Sequence, residues 1–188
     1  MREGGPPPLR SFGLVLHHDG SWTHEGVPIR NARLRAAFDR SVRFLPAPAG
    51  RREQAREAGA QRGEAERSSF EPGRFVVQLG RFGGQIEVEE AAFFVRDFDP
   101  ATGAIRLSDG TSEPLDPETL RVSARDGAGL CAIKRSLAPA GLLARFTQAA
   151  WAELAAALEG PEDAPRLRLA GRSIALPASL VASLDFGA

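Results

Sequence analysis

A chain of 188 residues with 43% hydrophobic and 26% charged side chains is long enough to bury a globular core, and no run in it approaches the roughly 18 apolar residues of a membrane span. Its 24 basic side chains balance its 24 acidic ones, so no overall field favours nucleic acid or an anionic membrane as a partner. A single cysteine, Cys131, excludes a disulfide framework, and the opening residues show no secretory signal, so we expect a cytoplasmic protein with a buried Cys131 thiol.

The first 45 residues are expected to form a lobe made of a hairpin and a helix. Phe12 to Ile29 has the pattern of a hairpin with turns at Asp19-Gly20 and Glu25-Gly26. Asn31 can cap a helix, because its side chain can accept hydrogen bonds from the free amides of the first turn. Five apolar residues then recur at helical spacing, namely Leu34, Ala37, Phe38, Val42 and Leu45.

Residues 46–73 differ in composition from the segments on either side. They are a mixture of Ala, Arg, Glu and Gly with three prolines, and large apolar side chains are almost absent before Phe70. Such a segment buries too little surface to offset the entropy of ordering it. We therefore predict a flexible charged linker or insertion here.

The run from Arg74 to Lys134 consists of short alternating apolar segments separated by turn residues, which is typical of a meandering antiparallel sheet. The strand candidates are residues 75–79, 85–89, 93–98, 104–107 and 130–133. The predicted turns are Gly83-Gly84, Asp99 to Gly103 and Asp109-Gly110. This sheet would form the centre of the fold.

The remainder of the chain is expected to add helices and a second small hairpin. A broad apolar stripe predicts a long helix from Pro139 to about Gly160. Arg166–Leu169 and Ser173–Leu176 would pair around a turn at Ala170-Gly171, and a short helix would run from Pro177 to about Leu184. The predicted class is α+β, an antiparallel meandering sheet with packed helices in two small lobes, 1–45 and 74–188. The recurring order of hairpin and helix hints at two related halves.

The histidines of the chain, His17, His18 and His24, all lie on the N-terminal hairpin. With a two-residue turn at Asp19-Gly20, His17 would face Trp22 and share one face of the hairpin with His24. Two imidazoles so placed could bind zinc or iron together with a carboxylate from Glu25 or Asp39. A third ligand at a diagnostic spacing is missing, so an ordinary polar hairpin face is the favoured interpretation and no metal site is predicted.

Other constellations fit structure better than chemistry. The glycine-rich segment 80–84 precedes a strand pattern, so it lacks the helix amino terminus of a phosphate-binding loop. Glu87 and Glu89 alternate with apolar residues as a solvated strand face does, which argues against paired catalytic carboxylates. Lys134 and Arg135 could hold an anion ahead of the predicted helix at Pro139, or could simply be exposed cations. No cofactor is predicted.

Several short motifs resemble known families. Asp19 to Ile29, followed by a helix with Leu34 and Phe38, resembles the opening of a bacterial family of unknown function, and Ile86 to Val95 is similar to its central strand motif. Gly129 to Thr147 and the hairpin 167–176 are similar to the C-terminal part of a related uncharacterised family that extends into eukaryotes.

The resemblance implies a two-lobed α+β fold of repeated structural motifs, with a ligand cleft between the lobes and a role in signalling or regulation. It brings no enzyme activity and no catalytic residues. The chain departs from the bacterial family through its charged insertion and through Ala92, where that family tends to have proline.

We therefore expect a non-enzymatic regulatory module that binds a small molecule or a peptide. The predicted lining residues combine adaptable polar groups with turn or strand-end positions, and they are Trp22, His24, Arg81, Arg96, Lys134 and Arg135. One alternative is a metal-dependent enzyme that uses His17 and His24 with a carboxylate. The other is a structural adaptor that presents an interaction surface instead of a pocket.

Overall fold

The computed structural model describes residues 11–47, 73–80, 82–161 and 163–183. The chain divides into two compact units, Met1–Ala92 and Phe93–Ala188. The boundary between lobes that we predicted from the sequence lies in the linker 46–73. Nearly all of that segment lies outside the described residues. No helix in the described part of the chain is long and apolar enough to cross a membrane.

The first unit is built on a six-stranded mixed sheet. Its strands are β1 (Ser11–Leu16), β2 (Trp22–His24), β3 (Val27–Pro28), β4 (Val42–Pro46), β5 (Gly73–Leu79) and β6 (Phe82–Val88). Their spatial order is β3-β2-β1-β6-β5-β4, and β1 pairs with β6 in parallel while all other neighbours are antiparallel. Two antiparallel meanders are thus joined by a central parallel pair.

Helix α1 (Ala32–Ser41) covers one face of this sheet. As predicted, the Asn31 side chain caps it by accepting hydrogen bonds from the backbone N–H groups of Arg33 and Leu34. Phe38 packs against the fully buried Trp22 with ring centroids 5.2 Å apart. The predicted continuation of the helix to Leu45 is wrong, because the chain becomes extended at Val42 and pairs with β5 instead.

The second unit contains another six-stranded mixed sheet. Its strands are β7 (Phe93–Asp99), β8 (Ala104–Leu107), β9 (Ser112–Pro114), β10 (Arg121–Val122), β11 (Gly129–Ile133) and β12 (Leu142–Phe146). The spatial order is β10-β11-β12-β7-β8-β9, with β12 parallel to β7. The buried Cys131 lies on β11, and burial raises the pKa of its thiol.

The predicted single antiparallel meander is therefore wrong, because its strands are divided between two mixed sheets. β5 and β6 belong to the first sheet and β7, β8 and β11 to the second. The predicted turn at Gly83-Gly84 is also wrong. Leu79 pairs with Phe82, so the chain reverses earlier, beside Gly80 with its left-handed φ of 58°, and both glycines lie within β6.

The predicted long helix from Pro139 to Gly160 is wrong in its first half. Gly141, with a φ of 81°, leads into β12, and Thr147 then caps a shorter helix, α2 (Gln148–Ala156). β12 lies between β11 and β7, and all of its side chains except that of Leu143 are buried, as a central strand requires. A short, mainly apolar segment of this kind fits a buried strand as well as a helix.

The C-terminal part follows the prediction more closely. A three-stranded sheet contains β13 (Leu158–Glu159), β14 (Arg166–Leu169) and β15 (Arg172–Ala175). Ala170 and Gly171 both have positive φ, which is the geometry of a two-residue hairpin turn. The short helix α3 (Ala178–Val181) follows, and Leu184 lies outside the described residues.

One topology recurs in both units. In each, the first strand of one three-stranded meander pairs in parallel with the last strand of the next: β1 with β6, and β7 with β12. A capped helical segment joins the two meanders, namely α1 after Asn31 and the short 3-10 helix Pro117–Thr119 after Asp116. The structure is therefore a sheet-rich α+β fold with an internal topological repeat.

Candidate functional site

Polar side chains converge where β1 and β6 end in the first unit. Leu16 and Val88 are register partners in this parallel pair, so the residues that follow them emerge at the same edge of the sheet. Glu89 continues the pairing, because its backbone N–H donates to the Leu16 carbonyl at 3.1 Å. His17 and His18, which follow β1, are thereby brought beside Glu89.

The Glu89 carboxylate is the centre of this histidine–glutamate cluster, which we define as His17, His18, Thr23 and Glu89. One carboxylate oxygen lies 2.7 Å from His17 Nδ1, and the other lies 2.9 Å from His18 Nδ1. The second oxygen also accepts from the His18 backbone N–H at 3.0 Å. Side-chain exposures of 26% for His17 and 32% for Glu89 place the cluster at the surface without fully solvating it.

The hydrogen bonds keep Glu89 ionised. The His18 imidazole, then the His17 imidazole and then the His18 amide lower the pKa of Glu89 from its ordinary value of 4.5 to about 2. A carboxylate in this state can only accept hydrogen bonds, so the Nδ1 atoms of both histidines must carry the protons. In the neutral His17 imidazole, Nε2 is then the lone-pair acceptor.

That acceptor faces Thr23. His17 Nε2 lies 2.9 Å from Thr23 Oγ1, and the hydroxyl therefore donates to the neutral imidazole. Thr23 pairs with Val15 on β1 and points to the face of the sheet opposite Trp22 and α1. Hydroxyl, imidazole and carboxylate thus form a continuous relay.

The hairpin register differs from the prediction and separates two of the histidines. Trp22 is opposite Leu16, not His17, because the loop is one residue longer than predicted. Asp19 accepts from the Ser21 backbone N–H at 2.8 Å, and Gly20 has a φ of 82°, which favours a three-residue loop. His17 therefore lies with Thr23, on the face away from Trp22 and His24.

The premise of the metal-site hypothesis, a shared face for His17 and His24, is therefore wrong. In the residues that the structure describes, no three His, Cys, Asp or Glu side chains are arranged to hold a metal ion.

A cleft of about 490 Å³ opens on the second unit. Its walls are the β7–β8 turn, the end of α2 and the β14–β15 hairpin, and its lining residues are Pro100, Ala101, Ala156, Ala157, Arg168 and Gly171. Two backbone hydrogen bonds tie the walls together: Ala170 donates to the Pro100 carbonyl and Arg168 to the Ala157 carbonyl, each at 2.9 Å. Among the lining residues that the structure describes, Arg168 is the charged one.

Lys134 belongs to a network of polar contacts within the second unit. Its ammonium lies 2.9 Å from both Asp109 Oδ2 and Thr111 Oγ1, and 5.1 Å from the centre of the Phe93 ring. The Lys134 and Asp109 side chains are only 13% and 7% exposed. Burial opposes ionisation of Asp109, but hydrogen bonds from Thr111 and Lys134 outweigh it and lower the pKa of this carboxyl.

The other predicted lining residues are divided between the two units. Trp22 is 1% exposed, and its Nε1 donates to Asp39 at 2.9 Å, so it is a core residue of the first unit. His24 is exposed on β2 of that unit. In the second unit Arg96 lies over the Phe94 ring at 5.8 Å, and Arg135 forms an exposed ion pair with Asp116 at 2.9 Å. Arg81 lies outside the described residues.

Sequence reasoning missed three residues that the structure brings into these sites. The sequence pattern places Glu89 on a solvated strand face, whereas the observed strand β6 ends at Val88 and leaves Glu89 at the edge of the sheet. Thr23 has no local signal, because its partner His17 is set by hairpin register. Arg168 alternates with buried leucines in β14 and looks like any exposed strand residue.

Similarity to known proteins is found at the level of the fold, in one solved structure. No protein-family model and no curated protein sequence matches this chain. It resembles the solved structure of a DUF1285 family protein from Silicibacter pomeroyi DSS-3 with a TM-score of 0.54 and 18% identity, over 92% of this chain and 83% of that one. A DUF1285 family protein from Shewanella baltica OS155 gives 0.43 and 14%, over 76% of this chain and 90% of that one. At this level of identity, the first likeness indicates a fold shared with a bacterial family of unknown function.

Proposed function

We propose that the protein is a non-enzymatic regulatory module that binds a small molecule or a short peptide, and that the cleft of the second unit is its binding site. The cleft is the observation that carries this proposal. Its volume of about 490 Å³ lies within the range of small-molecule sites, which is roughly 300–1,000 Å³. The predicted residues Arg96, Lys134 and Arg135 belong to the same unit but do not line this cleft.

The lining favours a ligand with an apolar body and one anionic group. Proline, alanine and glycine provide small apolar walls that let a ligand approach the backbone closely. Arg168 can bind a carboxylate or phosphate in bidentate fashion, and no ion pair joins it to an acidic residue in the described part of the chain. One charged lining residue and an apolar wall would give a ligand both orientation and affinity.

A thermal-shift screen of small carboxylates, phosphates and short acidic peptides tests the proposal. A ligand at about 100 times its Kd stabilises the native state by about 2.7 kcal/mol, which raises the Tm of a protein of this size by about 5–10 °C. Ala157→Trp fills the cleft and should abolish the shift. Ala152→Trp, at an exposed position of the same helix, is the matched control and should retain it.

Two outcomes would contradict the proposal: no compound stabilises the protein, or the Ala157→Trp variant is stabilised as much as the parent. Loss of the shift in Arg168→Ala for anionic compounds alone would identify Arg168 as the group that recognises the charge.

A further inference from the structure

We infer that Thr23 is an acyl-accepting hydroxyl, with His17 as its general base and Glu89 as the positioning residue for that base. Thr23 Oγ1 lies 2.9 Å from His17 Nε2, and His17 Nδ1 on the other side of the ring lies 2.7 Å from the Glu89 carboxylate. A hydroxyl bonded to an imidazole that a carboxylate orients is the arrangement that activates serine and threonine nucleophiles. This site is independent of the cleft in the second unit.

The cluster fixes the tautomer that the reaction needs. His17 must carry its proton on Nδ1, because the Glu89 carboxylate offers only lone pairs. Glu89 cannot turn away easily, since His18 holds its other oxygen through both the imidazole and the backbone N–H. With Nδ1 protonated, Nε2 of the neutral ring is the atom that can accept the Thr23 hydroxyl proton, and it lies 2.9 Å from Thr23 Oγ1.

The histidines beside the Thr23 hydroxyl are partly open to solvent. Thr23 is half-buried on the sheet face that α1 leaves uncovered, and the His17 and His18 side chains beside it are 26% and 35% exposed. The imidazolium that forms during the reaction would be stabilised by the adjacent Glu89 carboxylate. Glu89 would therefore orient the His17 ring before Thr23 transfers its proton and stabilise the charged ring afterwards.

The step is an acyl transfer from an activated ester. Thr23 Oγ1 forms a bond to the acyl carbon while the bond from that carbon to the leaving oxygen breaks. The hydroxyl proton passes to His17 Nε2 and then to solvent, and nothing is oxidised or reduced. The relay supplies a base and its orientation, but its four described residues provide no oxyanion hole, which is worth about 100- to 1,000-fold in known enzymes. We therefore expect slow, stoichiometric acylation of the protein itself rather than rapid turnover.

The test uses p-nitrophenyl acetate as the acyl donor and peptide mapping by mass spectrometry as the readout. One acetyl group per chain should appear on Thr23, together with one equivalent of released nitrophenolate. Thr23→Ser should react as well, whereas the isosteric Thr23→Val should not. His17→Gln, which keeps the hydroxyl, should slow acylation about 100-fold, as loss of a general base does.

Two further measurements separate chemistry from a structural role. Glu89→Gln should lower the acylation rate and change its pH profile, while circular dichroism verifies that each variant retains the fold. Thr102→Val removes the hydroxyl of a different hydrogen-bonded threonine, in the second unit, and should leave acylation of Thr23 unchanged. The inference is overturned if the acetyl group is found elsewhere, if no adduct forms, or if His17→Gln reacts as fast as the parent.

Discussion

The Glu89 carboxylate holds together groups that are distant in the sequence. It joins two imidazoles and a backbone amide that lie more than seventy positions earlier in the chain, and it does so at the solvent-exposed end of a parallel strand pair. Because the carboxylate is its charged form, every one of these bonds favours ionisation. The cluster therefore links the stability of the first unit to pH.

Glu89→Gln tests that link. The folded-state pKa lies below its ordinary value of 4.5, so the contribution of Glu89 is fully present above that pH and is lost as pH falls towards about 2. We expect Glu89→Gln to lower the free energy of unfolding by about 1 kcal/mol at pH 7, after allowance for solvent screening. Urea denaturation should show a smaller difference between the two proteins at pH 3.

Glu87→Gln serves as the control, because Glu87 is an exposed residue on β6 outside the cluster. An equal loss in both variants at pH 7, or a Glu89 effect that grows on acidification, would be inconsistent with the assigned role.

Gly129 illustrates a requirement that comes from packing alone. A Cβ built at this position would overlap the ring of Trp151, which also packs against Phe146 with ring centroids 5.4 Å apart. Gly129→Ala should therefore lower the free energy of unfolding by about 2 kcal/mol, as overpacking of a close-packed core does. Gly83→Ala is the matched control, since a Cβ there meets open space. Equal Tm values for the two variants would show that Trp151 can move aside.

At the scale of elements, local chemistry decided where segments begin and turn. Asn31 was predicted as a cap from sequence, and the structure confirms it with bonds of 3.0 and 3.1 Å. The turns at Glu25-Gly26, Asp109-Gly110 and Ala170-Gly171 were also predicted from sequence. In the structure their glycines adopt the left-handed backbone that such turns need. These features depend on residues close together in the chain, which is why sequence reasoning succeeded.

Asn31→Ala measures the cap directly. Loss of the side-chain acceptor leaves two amides of α1 without their partner, so we expect a cost of about 1 kcal/mol in the free energy of unfolding. Asn31→Asp keeps an acceptor next to the helix amino terminus and should cost little. The measurement is urea unfolding followed by circular dichroism, and an identical midpoint for Asn31→Ala and the parent would contradict the capping role.

The predicted type of element was wrong where burial removed the alternation of apolar and polar residues that marks a strand. The run from Leu142 to Phe146 is a central strand with most of its side chains buried, so its apolar pattern looked helical. Hairpin register failed at Asp19, where one hydrogen bond to Ser21 lengthens the loop by a residue and moves His17 to the other face. One residue of register therefore decided whether His17 faced His24 or Thr23.

At the scale of the molecule, pairing between distant strands shapes both units. The parallel pairs β1–β6 and β7–β12 each close two meanders into one six-stranded sheet. No local pattern in the sequence indicates which distant strands pair, and the histidine–glutamate cluster depends on the first of these pairs. The resemblance to a DUF1285 family structure agrees with this sheet-rich α+β architecture at the level of fold.

The most direct test of the binding proposal is nuclear magnetic resonance mapping of a stabilising ligand on the full, isotope-labelled chain. We predict that titration shifts the amide signals of Ala101, Ala157, Arg168 and Gly171, the residues around the cleft of the second unit, and leaves those of β1 and β2 in place. Shifts confined to the first unit, or shifts that persist in Ala157→Trp, would contradict the assignment of the cleft as the binding site.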